Sequence, residues 1–258
     1  MMTPLTFFNR RWWWTTLLVI AGTLVCARLG IWQLDRLEQR RAFNTHYLDM
    51  VAMAPLTLTG DQPGLTDQEY RRVTVTGQYD FENQVALRNQ YHGDQYGYQL
   101  LTPLKLADGT AVIIERGWIP AEGNAAPEGW RQYDQPGSVT INGILRLGQT
   151  KPDVGGIPDA ELAPGQTRLD FWNIVNLERI ALQTPHKILP VFIQPNPTPA
   201  PSQPPYPYQP EVEISEGSHM GYALQWFTFA TILFVGYPFF VRKQEQKTAI
   251  TPSDSQVS

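Results

Sequence analysis

The chain has 258 residues, a formal net charge of −4 and a hydrophobic fraction of 42%, values that are ordinary for a globular protein. The acidic balance and the lack of a long basic run argue against a nucleic-acid partner. The single cysteine, Cys26, excludes an internal disulfide, so an exported domain would have to be stabilised by its own hydrophobic core.

The first apolar segment follows Arg10 and Arg11 and contains no charged residue from position 12 to position 27, about 16 residues. It could be a signal peptide with cleavage at residues 25–27, or an uncleaved membrane anchor. We favour an anchor, because three tryptophans beside two arginines are typical of a membrane interface. The predicted transmembrane helix covers residues 12–31.

Apolar residues at helical spacing continue over residues 29–53, so the first span is predicted to run on as a helix outside the membrane.

The chain then changes to short alternating segments typical of β-strands. One of them, residues 72–76, is predicted to end at Gly77. The pair Asp108-Gly109 between two apolar runs predicts a β-hairpin, since both positions tolerate positive φ. Pro103 predicts that its strand lies at an edge or carries a bulge.

The following region combines strands with loops and a short helix, of which Asn176 is the predicted N-cap. Short connections imply mainly antiparallel pairing. We therefore predict a β-rich domain with a leading helix over residues 32–194, and a semi-rigid, Pro-rich spacer over residues 195–218. The other predicted elements are strands over residues 138–147 and 189–194 and loops over residues 121–135 and 150–165.

The second span is predicted over residues 219–241. No charged side chain occurs from position 220 to position 241, and about 22 helical residues cover about 33 Å, enough for a hydrocarbon core. Cationic residues flank both spans on the side of the chain ends, which places residues 1–11 and 242–258 in the cytoplasm. The predicted fold is a membrane protein with two transmembrane helices flanking an extracytoplasmic α+β domain dominated by antiparallel β-strands.

His219 begins the second span at its outer edge, where an imidazole is a poor lipid-facing group and a good ligand or hydrogen-bond partner. Tyr222 and Trp226 lie on the same helical stripe. Two interpretations stay open: an ordinary aromatic belt, or a groove for a ligand. Arg28, at the outer end of the first span, is predicted at the same depth. It is either a snorkelling arginine that ends the apolar run or a cation that meets an anionic ligand.

The sequence contains no GxGxxG, phosphate-binding loop, nucleophile elbow or CxxC motif. The four histidines, His46, His92, His186 and His219, are not spaced as metal ligands. These observations disfavour an enzyme.

Four separated patches coincide with one family pattern. Residues 29–36 are similar to LGxWQxxR, residues 96–104 to GY-x-x-x-TPL, residues 114–120 to NRGWVP, and residues 217–227 to NNHLxYAxTWF. The family that they resemble is the surfeit locus protein 1 family, assembly factors for the terminal cytochrome c oxidase. The chain departs from the pattern at Glu115, where the family has asparagine, and at Gly217 and Ser218, where it has two asparagines.

The resemblance implies a role in maturing the haem a centres of oxidase subunit I, with haem a bound by the histidine of the second span, here His219. We expect a non-enzymatic assembly factor that binds haem a and assists its insertion into subunit I. Trp226 and Phe229 would form an apolar groove, Tyr222 would be a further cofactor-binding residue, and Arg28 would meet a propionate. Arg116 and Trp118 are expected to hold the outer domain together or to contact the oxidase.

Two alternatives stay open: a scaffold that stabilises subunit I without binding haem, and a secreted domain whose first segment is cleaved. The expected partners are cytochrome c oxidase subunit I, haem a synthase as a further candidate, and the lipid bilayer. The segment before the first span is too short for a mitochondrial transit peptide. The expected location is therefore a bacterial cell membrane, with a multi-pass topology and both termini cytoplasmic.

Overall fold

The computed structural model describes residue 7 and residues 9–197, 203–208 and 212–250, with side chains up to residue 247. The chain forms two compact units, one of Met1–Thr45 with Glu213–Ser258 and one of His46–Val212. The predicted tails and the predicted spacer lie partly outside the described residues. The helices are α1 (Trp13–Ala52), α2 (Pro127–Trp130), α3 (Leu177–Ala181) and α4 (His219–Ile250). The strands are β1 (Leu56–Leu58), β2 (Arg72–Tyr79), β3 (Val85–His92), β4 (Gln95–Lys105), β5 (Thr110–Pro120), β6 (Ser138–Leu147), β7 (Phe171–Trp172) and β8 (Lys187–Pro195).

The first unit is built from α4 and from α1 up to Thr45. Both helices are long and apolar enough, by length and composition, to cross a membrane. Large apolar side chains stay exposed along both of them; Leu18 is 68% exposed and Ile232 60%. A continuous exposed apolar surface suits lipid better than water. The two apolar helices predicted from the sequence are therefore present, and each extends beyond its predicted span.

α1 and α4 pack antiparallel along a seam in which contact positions recur every three or four residues. On α1 the seam passes through Thr16 and Gly30 and continues to Leu37, beside the segment that leads into α4; all three residues are buried. Thr16 Oγ1 lies 2.7 Å from Tyr237 Oη on α4. The ring of Phe227 packs on Gly30, where an added Cβ would lie 2.7 Å from a ring carbon. Spacing of this kind is typical of coiled-coil pairs, and a small residue at the seam allows close helix packing.

The second unit contains an eight-stranded mixed sheet that closes into a barrel. The strand order is β1-β2-β6-β8-β5-β4-β3-β7, and β2 also pairs with β4, so that β2, β6, β8, β5 and β4 form a ring. The parallel pairs are β1–β2, β3–β7 and β5–β8, and the other five pairs are antiparallel. The predicted dominance of antiparallel strands is confirmed.

Gly77 permits the barrel to close. The prediction that it ends its strand is wrong, because β2 continues to Tyr79 and its last two residues pair with Lys105 and Leu104 of β4. A Cβ added to Gly77 would lie 2.3 Å from the carbonyl oxygen of Lys105. Any other residue would therefore keep β2 from approaching β4 this closely.

The main hydrophobic core draws buried side chains from all five strands of the ring. Val75, Leu104, Val112, Leu145 and Ile193 belong to this core, one from each strand. A second cluster packs β7 and α3 against the sheet. Burial of this extent accounts for a stable domain without a disulfide.

Several local predictions are confirmed. Asp108-Gly109 joins β4 to β5, with Gly109 at a φ of +86°. Asn176 caps α3, since its side-chain oxygen accepts a hydrogen bond from the backbone N–H of Arg179 at 3.1 Å. Pro103 lies in β4, which is not an edge strand but carries an irregularity in its pairing with β5, between Leu100 and Leu101. On its other side, the pairing with β3 has ended, and the carbonyl of Pro103 accepts a hydrogen bond from the N–H of Asp80 at 2.8 Å. The missing N–H of proline therefore costs no ladder hydrogen bond.

Two elements are not predicted from the sequence. The predicted loop over residues 121–135 contains α2, whose Trp130 is buried and donates its indole N–H to the carbonyl of Asn124 at 3.0 Å. The two-residue strand β7 pairs with β3 in parallel. Both elements are too short to give a periodic pattern, and they form because the domain supplies their partners.

Candidate functional site

His219 is the first residue of α4, and the chain enters it through a left-handed conformation at Gly217, with a φ of +65°. Glycine and asparagine adopt this conformation most readily, so glycine here preserves the backbone that the asparagine of the family pattern also allows. Nδ1 of His219 lies 2.8 Å from Oε1 of Gln33 on α1. This hydrogen bond joins the first patch of the family resemblance to the last.

Side chains of α1 hold the segment that leads into His219. Arg40 donates to the backbone carbonyls of Ser215 at 3.0 Å and Glu213 at 2.7 Å. Arg41 forms a two-pronged ion pair with Glu216, with both N–O distances at 2.8 Å. The hydrogen bond from Arg41 lowers the pKa of the Glu216 carboxyl below its usual range. Together these contacts fix the backbone immediately before His219.

The residues of the aromatic stripe predicted beside His219 differ in exposure, because some face α1 and others face away from it. Ala223 is buried and Trp226 is half-buried, whereas the side chain of Tyr222 is 49% exposed. The rings of Trp226 and Phe229 meet edge to face, with 6.0 Å between their centroids. Trp226 therefore lies beside the helix seam, and Tyr222 belongs to the exposed surface of α4.

Arg28 is exposed, and the structure does not bring it together with His219. It lies two positions from Gly30, about 200° around α1 from this seam residue, and so on the side away from α4. It also lies five residues before Gln33, which is about 7.5 Å along the helix axis. The assignment of Arg28 to a propionate stays a prediction that this geometry does not favour.

Gln33 and Arg40 are not among the predicted site residues, although Gln33 contacts the histidine and Arg40 contacts its leading segment. A signal was available. Gly30, Gln33, Leu37 and Arg40 alternate in spacing between three and four residues, which is a seam pattern. The pattern is hard to recognise because glycine, glutamine and arginine occupy positions that are usually apolar.

Arg116, from the third patch of the resemblance, is buried in the β domain. Its guanidinium lies 4.9 Å from the ring centroid of Tyr79 and 5.1 Å from that of Phe81. It donates to Oε1 of Gln84 at 2.9 Å and to the carbonyl of Tyr133. Burial lowers the pKa of Arg116. All of these contacts are internal, which supports the interpretation that Arg116 holds the domain together.

Glu115, the departure from the family pattern beside Arg116, is also buried. Its Oε2 accepts a hydrogen bond from Nε2 of Gln194 at 2.6 Å, and Arg146 donates to Oε1 of the same glutamine at 2.9 Å. Burial raises the pKa of Glu115 to about 7, against the opposing effects of Gln194 and Arg146. A neutral glutamic acid offers the polarity of an amide, so Glu115 can occupy a position that is asparagine in the pattern.

In the part of the chain that the structure describes, no group of three His, Cys, Asp or Glu side chains could hold a bare metal ion. A single imidazole such as His219 instead fits a metal that brings its own equatorial ligands. Haem iron is such a metal, because the porphyrin supplies four nitrogens and the protein adds an axial ligand. His219, at the start of α4, is one imidazole donor of this kind.

The model of the SURF1 family matches residues 20–231, most of the chain. A SURF1-like protein of Monosiga brevicollis is 25% identical over 94% of this chain and 93% of its own length. Surfeit locus protein 1 of Takifugu rubripes is 23% identical over 83% of this chain and 92% of its own length. A SURF1-like protein of Rickettsia conorii is 30% identical over 35% of this chain and 38% of its own length.

Proposed function

The chain belongs to the SURF1 family, and we propose that it is an assembly factor for haem–copper cytochrome c oxidase. In this proposal it binds haem a and assists the insertion of haem a into subunit I. The observation that carries the proposal is the hydrogen bond between Nδ1 of His219 and Oε1 of Gln33, at 2.8 Å. This bond occupies one ring nitrogen and leaves Nε2 available as an axial ligand.

The surface of α4 beyond His219 suits the apolar parts of haem a. Haem a contributes a porphyrin-bound iron that takes an axial nitrogen ligand, and it carries a long apolar tail. Trp226 and Phe229 lie two and three turns along α4 from His219, and they offer an apolar surface that such a tail can follow. Tyr222, one turn from the histidine, places an amphipathic ring at the same end of α4.

The helix pair supports the proposed topology. Nε1 of Trp12 donates to Oε1 of Glu245 at 2.7 Å, and Tyr237 lies against Thr16. The cationic residues before α1 and those late in α4 therefore meet at one end of the pair. Because cationic flanks favour the cytoplasmic side, we place both termini in the cytoplasm of a bacterium and His219 at the opposite membrane face. The β domain would then be extracytoplasmic, beside subunit I and a haem a synthase as candidate partners.

The test is the visible spectrum of the full-length protein purified from a bacterium that makes haem a. We expect a haem a absorbance band that is lost in the His219→Ala variant. His46→Ala is the matched control, because His46 is exposed and its ring contacts only Tyr70 in the described contacts of the β domain, at 6.4 Å. That variant should keep the band.

A second readout in the same preparation is the amount of oxidase subunit I that co-purifies. Subunit I without a haem a band would support the alternative, a scaffold that stabilises subunit I without binding haem. Absence of both would contradict the assignment to oxidase assembly in any form.

A further inference from the structure

We propose that Gln33 is a positioning residue for His219: its amide oxygen holds the imidazole in the tautomer that carries the proton on Nδ1, and so presents Nε2 to iron. This inference deepens the proposed function and rests on it only for the identity of the ligand. The tautomer itself is a property of the haem-free protein, which makes the two claims separable.

The chemistry follows from the atoms that face each other. Oε1 of Gln33 is an amide oxygen and can only accept a hydrogen bond, so Nδ1 at 2.8 Å must donate one. A neutral imidazole has one N–H, and its other nitrogen then carries a lone pair. Free imidazole rings in proteins can adopt either tautomer, and the hydrogen bond made by one nitrogen decides which nitrogen is left for a metal.

Packing fixes Gln33 in place. It lies in the seam between Gly30, which Phe227 covers, and Leu37, which is 3% exposed. Its side chain is half-buried, and it faces the first turn of α4. Because buried neighbours on both sides limit its movement, the amide presents its oxygen to the imidazole in a defined direction.

The other edge of the imidazole is bordered by Gly217. A Cβ at this position would lie 3.6 Å from Nε2 and 3.4 Å from Cδ2 of His219. These distances are ordinary van der Waals contacts, so residue 217 borders the Nε2 edge without blocking it. Gln33 orients the ring from the opposite side.

The arrangement matches a general feature of metal-binding histidines. Such histidines donate their second N–H to a carboxylate, a carbonyl or water, and loss of that outer partner typically lowers metal affinity by about 10- to 100-fold. We therefore expect Gln33→Met, which keeps the length of the side chain but cannot accept the hydrogen bond, to weaken haem a binding by roughly that factor. Gln33→Glu keeps an acceptor oxygen and should retain binding.

The test starts with haem-free, full-length protein in lipid nanodiscs, labelled with 15N at histidine. At alkaline pH, where imidazole is neutral, the nitrogen shifts of His219 report its tautomer directly. The His219 signals are assigned by their loss in His219→Ala. We expect the Nδ1–H tautomer in the wild type and in Gln33→Glu, and a shift toward Nε2–H in Gln33→Met. Gln39→Met is the matched control, because Gln39 is exposed on the same helix and bonds only to Arg36 in the described contacts, at 3.0 Å.

Each outcome is decisive for one claim. If the tautomer of His219 is the same in the wild type and in Gln33→Met, the positioning role is wrong. If the tautomer changes as expected but the wild-type protein binds no added haem a, the positioning role stands and the proposed function fails. If Gln33→Met does not insert or fold, Gln33→Glu still tests the inference, since a wild-type-like fold with the Nε2–H tautomer would overturn it.

When haem a does bind, a further readout is its reduction potential. A carboxylate partner makes the imidazole a stronger donor to iron than an amide does. Gln33→Glu should therefore lower the reduction potential of the bound haem relative to the wild type, whereas Gln39→Glu should leave it unchanged. An unchanged potential in Gln33→Glu would show that residue 33 does not contact the ligating imidazole.

Discussion

The backbone of Tyr206 pairs with that of Trp118 as a short antiparallel bridge. The N–H of Trp118 donates to the carbonyl of Tyr206 at 2.8 Å, and the N–H of Tyr206 donates to the carbonyl of Trp118 at 2.9 Å. The ring of Tyr206 stacks on that of His92, with 4.8 Å between centroids. A part of the predicted Pro-rich spacer is therefore docked on the last residues of β5, beside the motif that contains Gly117.

Gly117 controls this docking. It has a φ of +132°, and an added Cβ would lie 2.6 Å from the carbonyl oxygen of Tyr206. Gly117→Ala should detach the segment, and the Trp118 amide should then exchange its hydrogen about tenfold faster or more, measured by hydrogen exchange on the full chain. Gly109→Ala is the control, because nothing lies within 4 Å of a Cβ there. An unchanged exchange rate at Trp118 in Gly117→Ala would refute the account of this bridge.

Glu115 should make the stability of the β domain depend on pH. Its pKa is raised from the model-peptide value of 4.5 to about 7 in the folded state, because burial disfavours the charged form. The folded state therefore binds more protons than the unfolded state between these two values. The associated stability is fully present below pH 4.5 and is lost as the pH rises to about 7. The difference is roughly 3 kcal/mol of unfolding free energy at most.

Glu115→Gln should remove this dependence, since the amide stays neutral and keeps an oxygen for the N–H of Gln194. Denaturant unfolding of the two proteins at about pH 5 and about pH 8 measures the effect. We expect the variant to be the more stable protein at the higher pH. Equal pH dependence in both proteins would mean that Glu115 ionises normally.

Arg116→Lys should destabilise the β domain by about 2 kcal/mol. Lysine cannot bond to Gln84 and the Tyr133 carbonyl at once, nor stack its head group as a plane on Tyr79. The midpoint of denaturant unfolding measures the change. Arg131→Lys is the control, because that side chain is exposed and pairs with Glu82 at the surface, so its loss should cost less than about 0.5 kcal/mol. Equal effects from both substitutions would contradict the structural role of Arg116.

The proposed topology is testable by labelling in intact bacteria, in a Cys26→Ser background. Asp94 lies in the exposed turn between β3 and β4, and Lys243 is exposed late in α4. A membrane-impermeant maleimide should label Asp94→Cys in intact cells, and Lys243→Cys only after lysis. Labelling of both positions in intact cells would place the β domain and the end of α4 on one side of the membrane, and it would exclude two spans.

The sequence predicted those parts of the fold that depend on neighbouring residues. Asp108-Gly109 and Asn176 were identifiable because turn and cap preferences act over a few positions. The closure of the barrel could not be predicted, because it depends on the approach of Gly77 to Lys105, which lies 28 positions later in the chain. Local sequence patterns do not report a contact between residues this far apart. A glycine after an alternating run can mark the end of a strand, but Gly77 marks a close backbone contact within one.

The candidate site was predictable in part for the same reason. His219 was identified from its place at the end of an apolar run and from the family resemblance. Gln33 was not, because its contact with His219 depends on the register of two helices that are distant in sequence. The prediction that Arg28 lies near His219 rests on depth in the membrane alone, and depth does not determine the direction in which a side chain leaves its helix.

The most direct test of the central claim is to add haem a to the haem-free protein in nanodiscs and to follow the absorbance of the bound haem. The wild type should give a histidine-ligated spectrum that His219→Gly does not give. Free imidazole, which can enter the space left by the missing side chain, should restore the spectrum of His219→Gly. A His219→Gly variant that binds haem a with the wild-type spectrum and affinity, without added imidazole, would contradict the claim that His219 is the ligand.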